Sequence, residues 1–317
     1  MSRPWAQRGI GVYDDTPGSP SLTLQLTTAA RLLGPAGWVV LFLQPCLPSA
    51  PDVAAFAAKL SLCYSMGYRV IVRLGWSGAM RDYADEHSNR TKFTGVAQKL
   101  AAVVAVLPLP PAHLGPLLVH AGNELNACNE WRCSEPAGAV IGLTTRIREV
   151  GGFMEDTMAA LSALKAAQNG SLSLAHASIA SWQFDGCICG SNSNVGTGRP
   201  GTRFLEKLVE THPRLYGRAR WLSTHAYPYS NANYSRDPAS KAFRGLTYYR
   251  LERAALNASA AALPAVLTET GWARNSPANP VTDVDQASWM RRAADEIWAP
   301  AAPRPALSAR CSSRFRP

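Results

Sequence analysis

The sequence predicts an α/β fold of the TIM (β/α)8 type, with strand eight missing or replaced by an irregular C-terminal tail. Three observations lead there. Apolar, β-rich segments alternate with longer helical patterns seven times in a row, the arrangement of parallel strands joined by crossover helices. Two of the apolar runs deliver a glutamate at their C-terminal end, the end at which barrels of this kind place their chemistry. No Gly-rich phosphate loop follows an early strand, since Gly9-Ile10-Gly11 lacks the third glycine. A doubly wound sheet is therefore the runner-up.

In chain order, a first strand is expected over Gly9–Tyr13 and a helix over Leu22–Leu33. Strand two, Trp38–Gln44, is a β-branched and aromatic run, and the helix Asp52–Met66 shows Val53, Phe56, Leu60 and Cys63 at three- and four-residue spacing. Strand Tyr68–Leu74 and helix Lys92–Leu107 follow, then strand Leu117–Gly122 and a long helix Arg146–Ala167. The last units are strand Ser173–Ala180 with helix Arg203–Thr211, strand Trp221–Ala226 with helix Lys241–Leu256, and strand Ala265–Thr270 with helix Asp285–Trp298. Residues 1–298 thus form one barrel domain, and residues 299–317 a basic Pro/Ala/Arg-rich tail without periodicity. An absent eighth strand would leave open sheet edges, so a truncated C-terminus is the simplest expectation.

The chemistry rests on how strands four and seven end. Leu117-Leu118-Val119-His120-Ala121-Gly122-Asn123-Glu124 and Ala265-Val266-Leu267-Thr268-Glu269-Thr270-Gly271-Trp272 each carry a carboxylate out of a buried strand. Two such carboxylates converging on one pocket are what glycoside hydrolysis requires. Taken singly, either Glu also suits a helix cap or a rim salt bridge.

With Thr224-His225-Ala226-Tyr227 after strand six, these segments resemble glycoside hydrolase clan A. That clan holds retaining TIM-barrel glycosidases, among them the family 5 cellulases and the family 17 β-1,3-glucanases. The resemblance spans residues 9 to 298 in architecture and rests on three short motifs; Glu269-Thr270-Gly271-Trp272 is also similar to the family 17 pattern. It implies Glu124 as general acid/base and Glu269 as nucleophile. It implies Asn123 on the sugar 2-hydroxyl, Tyr227 orienting Glu269, and His225 on substrate or on the acid. Arg73, ending strand three, would stabilise ionised Glu269. Trp76, Trp131, Trp182 and Trp272 are candidate sugar-stacking platforms. Each has a plainer reading: a structural histidine, a rim ion pair, core tryptophans.

The expected substrate is a β-linked oligo- or polysaccharide, with no cofactor. A carbohydrate-binding pseudoenzyme on the same barrel is the alternative. A phosphate-dependent lyase is a third, but Gly271-Trp272-Ala273-Arg274-Asn275 offers no phosphate grip. No Gly-X-Ser-X-Gly or His-Glu-X-X-His occurs, and Cys128-X4-Cys133 and Cys187-X-Cys189 do not form a usual zinc pattern.

The composition agrees with a globular enzyme: 47% hydrophobic residues and 17% charged ones. The net charge of +10 is diffuse apart from Arg304, Arg310, Arg314 and Arg316, with no basic run interleaved with aromatics, so nucleic acid is not the expected partner. The longest uncharged stretch, from Leu100 up to Glu124, is broken by Pro108, Pro110, Pro111 and Pro116 and does not read as a membrane span. Met1-Ser2-Arg3-Pro4 shows no signal peptide. Yet seven cysteines and the sequons at Asn89, Asn169, Asn233 and Asn257 favour a secretory-pathway protein whose N-terminus is missing; reduced cysteines and unused sequons in the cytosol are the alternative. A disulfide between Cys128 and Cys133 would brace the loop after Glu124, whereas Cys187–Cys189 would close a very tight ring.

Overall fold

The computed structural model describes residues 9–11, 20–33, 37–43, 49–75, 90–127, 131, 142–176, 202–226, 247–256, 258–269 and 282–293. Seven strands occur there: β1 Gly9–Gly11, β2 Trp38–Leu43, β3 Arg69–Leu74, β4 Leu117–Ala121, β5 Leu172–His176, β6 Leu222–His225 and β7 Ala265–Glu269. The helices among them are α1 Leu22–Leu33, α2 Ala50–Ser65, α3 Arg90–Ala105, α4 Leu143–Ala167, α5 Thr202–Thr211, α6 Tyr248–Ala255, the short α7 Ala258–Ala261, and α8 Asp283–Arg292. Two 3-10 turns occur among them as well, η1 (Ala112–Leu114) before β4 and η2 (Leu215–Arg218) before β6.

β1 to β5 form one parallel sheet in sequential order, and β6 pairs in parallel with β7. Just before β6, the Arg220 N–H donates to Leu174 O (2.8 Å) and the Trp221 indole donates to Ser173 O (3.2 Å). The two sheets therefore adjoin at β5 and β6. Sequential parallel order with a helix after each strand is the order that (β/α) barrels share. Among the described residues no strand closes β7 onto β1; residues 294–317, where the sequence shows no eighth strand, lie outside them.

Alternation along the strands divides the apolar residues into two cores. Val39, Leu41, Leu43, Val70, Val72, Leu74, Leu117, Val119, Leu172 and Leu174 face the helices and merge with Leu26, Phe56, Leu60, Leu100, Phe153 and Leu208. Their in-between neighbours Val40, Phe42, Ile71, Leu118 and Ala175 form a second cluster with Trp221, backed by Trp38 and Val266. A sheet covered on one face would have one such core. Two cores from alternate residues mean that both faces of the sheet are covered, the second by strand residues and Trp221 rather than by helices.

Local signals explain the helix starts. Ser49 and Asp52 form a reciprocal capping box at α2, with the Ser49 N–H on Asp52 Oδ2 at 2.9 Å. Those bonds hold the exposed Asp52 carboxyl below its ordinary value. Thr282 caps α8 by accepting from the Asp285 N–H at 3.1 Å.

The 25-residue α4 contains Gly151 where the chain after α5 crosses it. A Cβ there would lie 2.2 Å from His212 Cδ2, so this glycine is needed for close approach. Gly151→Ala must push the imidazole off its 3.2 Å contact with Glu155. Chemical denaturation of that variant is expected to show a loss of about 1–3 kcal/mol.

Candidate active site

One row of side chains on the second face of the sheet crosses four strands. Phe42, Arg73, His120 and Ala175 are successive register partners on β2, β3, β4 and β5. Arg73 and His120 are fully buried although charged or polar. The Arg73 guanidinium lies over the Phe42 ring, 4.2 Å from its centroid, and His120 meets Trp221 edge-on at 5.8 Å.

Above this layer the chain turns sharply out of β4. Gly122 has φ +90° and its N–H donates to Leu74 O at 2.7 Å. Glu124 itself has φ +35°, in the left-handed region that a side chain disfavours. Its carbonyl accepts from the Ala127 N–H at 2.6 Å, which closes a turn. A non-glycine residue held this way stores on the order of 1–3 kcal/mol of strain, and such strain gathers at functional sites.

What holds the turn is a set of buried polar contacts. Arg73 Nη1 donates to Asn123 Oδ1 at 2.8 Å. Because arginine only donates, the Asn123 oxygen must face it, and the amide NH2 is the end turned away. Glu124, 5% exposed, meets His225 Nδ1 through Oε1 at 2.7 Å. Either the imidazole N–H donates to a carboxylate or a protonated carboxyl donates to the imidazole, so the pair shares one proton in both cases. His225 ends β6 and is the register partner of Glu269 on β7. Glu124 thus touches the residue whose backbone is paired with that of Glu269.

The structure therefore brings Arg73, Asn123, Glu124 and His225 into one chain of contacts and puts the Glu269 backbone beside it. All five lie at C-terminal strand ends. Tyr227, Trp76, Trp182 and Trp272 lie outside the described residues, as do Cys128, Cys133, Cys187 and Cys189 and the sequons at Asn89, Asn233 and Asn257.

Trp131 is a correction. Instead of offering a face to sugar it is completely buried, with Phe93 of α3 and Phe153 of α4 at ring distances of 5.7 and 5.5 Å. Its indole donates to Glu149 at 3.4 Å. Beside it, Arg146 Nη2 donates to Asn126 O at 2.9 Å. Tryptophan after a catalytic-type glutamate reads equally as platform or packing; the apolar stripes of α3 and α4 decide for packing.

Sequence reasoning missed several partners. His120 was readable as the one polar side chain in Leu117–Ala121. Arg146 and Glu149 face inward from α4 at three-residue spacing. On β6 and β7, the Ser223 and Thr268 hydroxyls pair at 2.6 Å, one residue before Glu269. The remaining one is Glu252, buried on α6 and bonded to the Thr224 hydroxyl. Among the described residues no three His, Cys, Asp or Glu side chains gather as a metal-binding group, and no helix is long and apolar enough to cross a membrane.

No family model and no curated protein matches the chain. Solved structures do match it. A trimodular endoglucanase of the GH5_4 subfamily superposes with TM-score 0.55 at 15% identity, covering 91% of this chain and 53% of that one. A β-glycosidase matches with TM-score 0.50 at 14% identity, covering 87% and 72%. A GH26 β-mannanase from Bacteroides ovatus gives TM-score 0.47 at 12% identity, covering 85% and 72%. The chain spans about half the length of the endoglucanase. At these identities the likeness is one of fold, a parallel α/β architecture similar to that of TIM-barrel glycosidases. The resemblance to clan A holds at that level.

Proposed function

We propose that this chain is a retaining O-glycosyl hydrolase that cleaves a β-linked glycan by double displacement. One observation carries the reading: the bond between Glu124 and His225, beside the β7 end that bears Glu269. Glu124 is the general acid/base and Glu269 the nucleophile. Retention requires the two carboxyl groups about 5–5.5 Å apart.

In the first step the Glu269 carboxylate attacks the anomeric carbon while Glu124 gives its proton to the departing glycosidic oxygen. In the second, Glu124 takes a proton from water, which attacks the same carbon and frees Glu269. His225 follows these changes of charge on Glu124 by donating to it whenever it is ionised. Asn123, its oxygen fixed by Arg73, offers its NH2 to the sugar 2-hydroxyl, a contact that strengthens as positive charge develops on the ring. Arg73 favours the ionised state of Glu269, and Tyr227 orients it. Trp76 and Trp272 supply apolar faces for sugar.

The test is the configuration of the first-formed product. Proton NMR of aryl β-glycoside and β-glucan hydrolysis is expected to show the β-anomer appearing first and the α-anomer only through mutarotation. An α-anomer as initial product would rule out double displacement. Sugar binding by a folded protein without turnover would favour the carbohydrate-binding pseudoenzyme.

The proposed domain is 1–298, with 299–317 as an appended tail, and the proposed setting is the secretory pathway. Asn169 suits that setting: it is exposed in the turn before β5, at the end of the barrel opposite Glu124. A glycan there leaves the catalytic face clear. Peptide mapping of protein secreted from a eukaryotic host is expected to find Asn169 modified; an unmodified Asn169 counts against this localisation.

A further inference from the structure

Behind β6, on the face away from the barrel interior, lies a buried polar group that the proposed chemistry does not use. The Thr224 hydroxyl donates to the carboxyl of Glu252 on α6. Glu252 is 2% exposed. Tyr216 of η2 is its electrostatic neighbour, and beyond Tyr216 stands His176 of β5, ring to ring at 4.9 Å. His176 Nε2 is held by Leu215 O at 2.6 Å.

The position of Thr224 gives this contact its reach. The β6–β7 register shifts between Thr224 and His225, so that Thr224 pairs with Leu267 but His225 pairs with Glu269. Such an irregularity re-aims the side chains that follow it. Thr224 is gripped from both sides of the strand: its hydroxyl by Glu252, and its carbonyl by the Thr268 hydroxyl at 3.5 Å. The next residue is His225, which holds Glu124.

We propose that Glu252 is a positioning residue of the candidate site: through Thr224 it fixes the irregular step of β6 that brings His225 to Glu124. The proposal deepens the glycosidase reading and rests on it only for its catalytic consequence.

Glu252 does this as a neutral carboxyl. Burial pushes its pKa up from the ordinary 4.5 to about 8, the Thr224 bond opposing only in part. The groups facing it are Thr224 from β6 and Tyr216 from η2; α5, packed on α6, turns Phe204, Leu205 and Leu208 inward, and α7 buries Ala260. On its own helix, Arg253 Nη2 donates to Leu263 O. Above about pH 8 a charge appears in this cluster; the Thr224 hydroxyl then donates to a carboxylate, and it is the buried charge, not the loss of that bond, that disturbs the packing behind β6.

A stability signature follows that needs no activity. The unfolded chain loses the Glu252 proton near 4.5, the folded protein near 8. The folded state holds the extra proton across that window, so stability falls as pH rises through it and is level above. His176 acts in the opposite sense. Burial lowers its pKa from 6.5 to about 4, so the unfolded chain gains a proton first and stability falls as pH drops through that range. Relative to wild type, Glu252→Gln is expected to gain in Tm steadily from about pH 5 to pH 8, because its amide keeps an acceptor for Thr224 and never ionises.

The deciding experiment follows the imidazole NMR signals of His225 in the full chain, assigned with His225→Gln, for wild type, Glu252→Gln and Thr224→Val. Wild type is expected to show a step near pH 8 that Glu252→Gln abolishes. Thr224→Val is expected to displace the signals at every pH and to lower kcat by on the order of 10–100-fold with KM little changed. The alkaline limb of kcat/KM should move upward in Glu252→Gln. A step that survives in Glu252→Gln, or His225 signals unmoved in folded Thr224→Val, overturns the proposal. If wild type hydrolyses no glycoside but the His225 step still depends on Glu252, the glycosidase reading falls and the positioning role stands.

Discussion

Replacing Glu124 with alanine is expected to slow hydrolysis of unactivated β-glycosides by about 10²–10⁴-fold, the usual contribution of a general acid/base. Its carboxyl is the one in contact with His225, 2.7 Å away. Aryl glycosides with good leaving groups need less protonation, so their first step survives and the glycosyl-enzyme accumulates. Added azide then enters the space left by the carboxyl and is expected to give a β-glycosyl azide. Glu269→Ala removes the proposed nucleophile, and a loss on the order of 10⁴–10⁶-fold is expected for every substrate. With that variant azide should instead give the α-azide, because only one displacement occurs. The pair of azide products separates the two roles more sharply than either rate loss. Activity unaffected by both substitutions would falsify the site.

Trp131→Ala is expected to cost about 3–5 kcal/mol of stability, the range for removing a fully buried large aromatic side chain. The ring is packed between Phe93 and Phe153, and its indole N–H serves Glu149. Removing it leaves a cavity under the loop that follows Glu124 and takes a donor from a buried carboxyl. Chemical denaturation measures the loss. Trp131→Phe keeps most of the packing and is expected to leave KM for oligosaccharides within about twofold of wild type, since the site is otherwise untouched. A large rise in KM with unchanged stability would restore Trp131 as a sugar platform and overturn its place in the core.

Much of the fold was legible because two periodicities carry it. β2 and β3 are runs of β-branched and aromatic residues bounded by Gly37 and Gly75, and they appear within a residue of where pattern alone puts them. α1 matches at both ends, Leu22 and Leu33. Limits in the second half of the chain were harder: Tyr248–Ala255 is helical, while residues 241–246 of the expected helix lie outside the described residues. Helical spacing reports which residues face a core, and it weakens where a helix meets a loop.

Of the candidate site, Glu124, Asn123, His225 and Arg73 were readable, each being a polar residue that terminates an apolar strand. What they touch was not. The Arg73–Asn123 bond joins positions 50 residues apart and the Glu124–His225 bond joins positions 101 apart. No local pattern encodes such pairs. Trp131 failed for the same reason, since its partners lie on two helices distant in sequence.

The order of strands and helices, and the exit of two glutamates at C-terminal strand ends, were legible in the residues alone. Those facts follow from local backbone preference and from the alternation of apolar residues. Folding alone sets the left-handed backbone of Glu124, the hold of His225 on its carboxyl, and the burial that raises the Glu252 pKa behind Thr224. The physical reason is burial. A polar group excluded from water must find its partner inside the fold, and that partner is chosen by the curvature of the sheet rather than by distance along the chain.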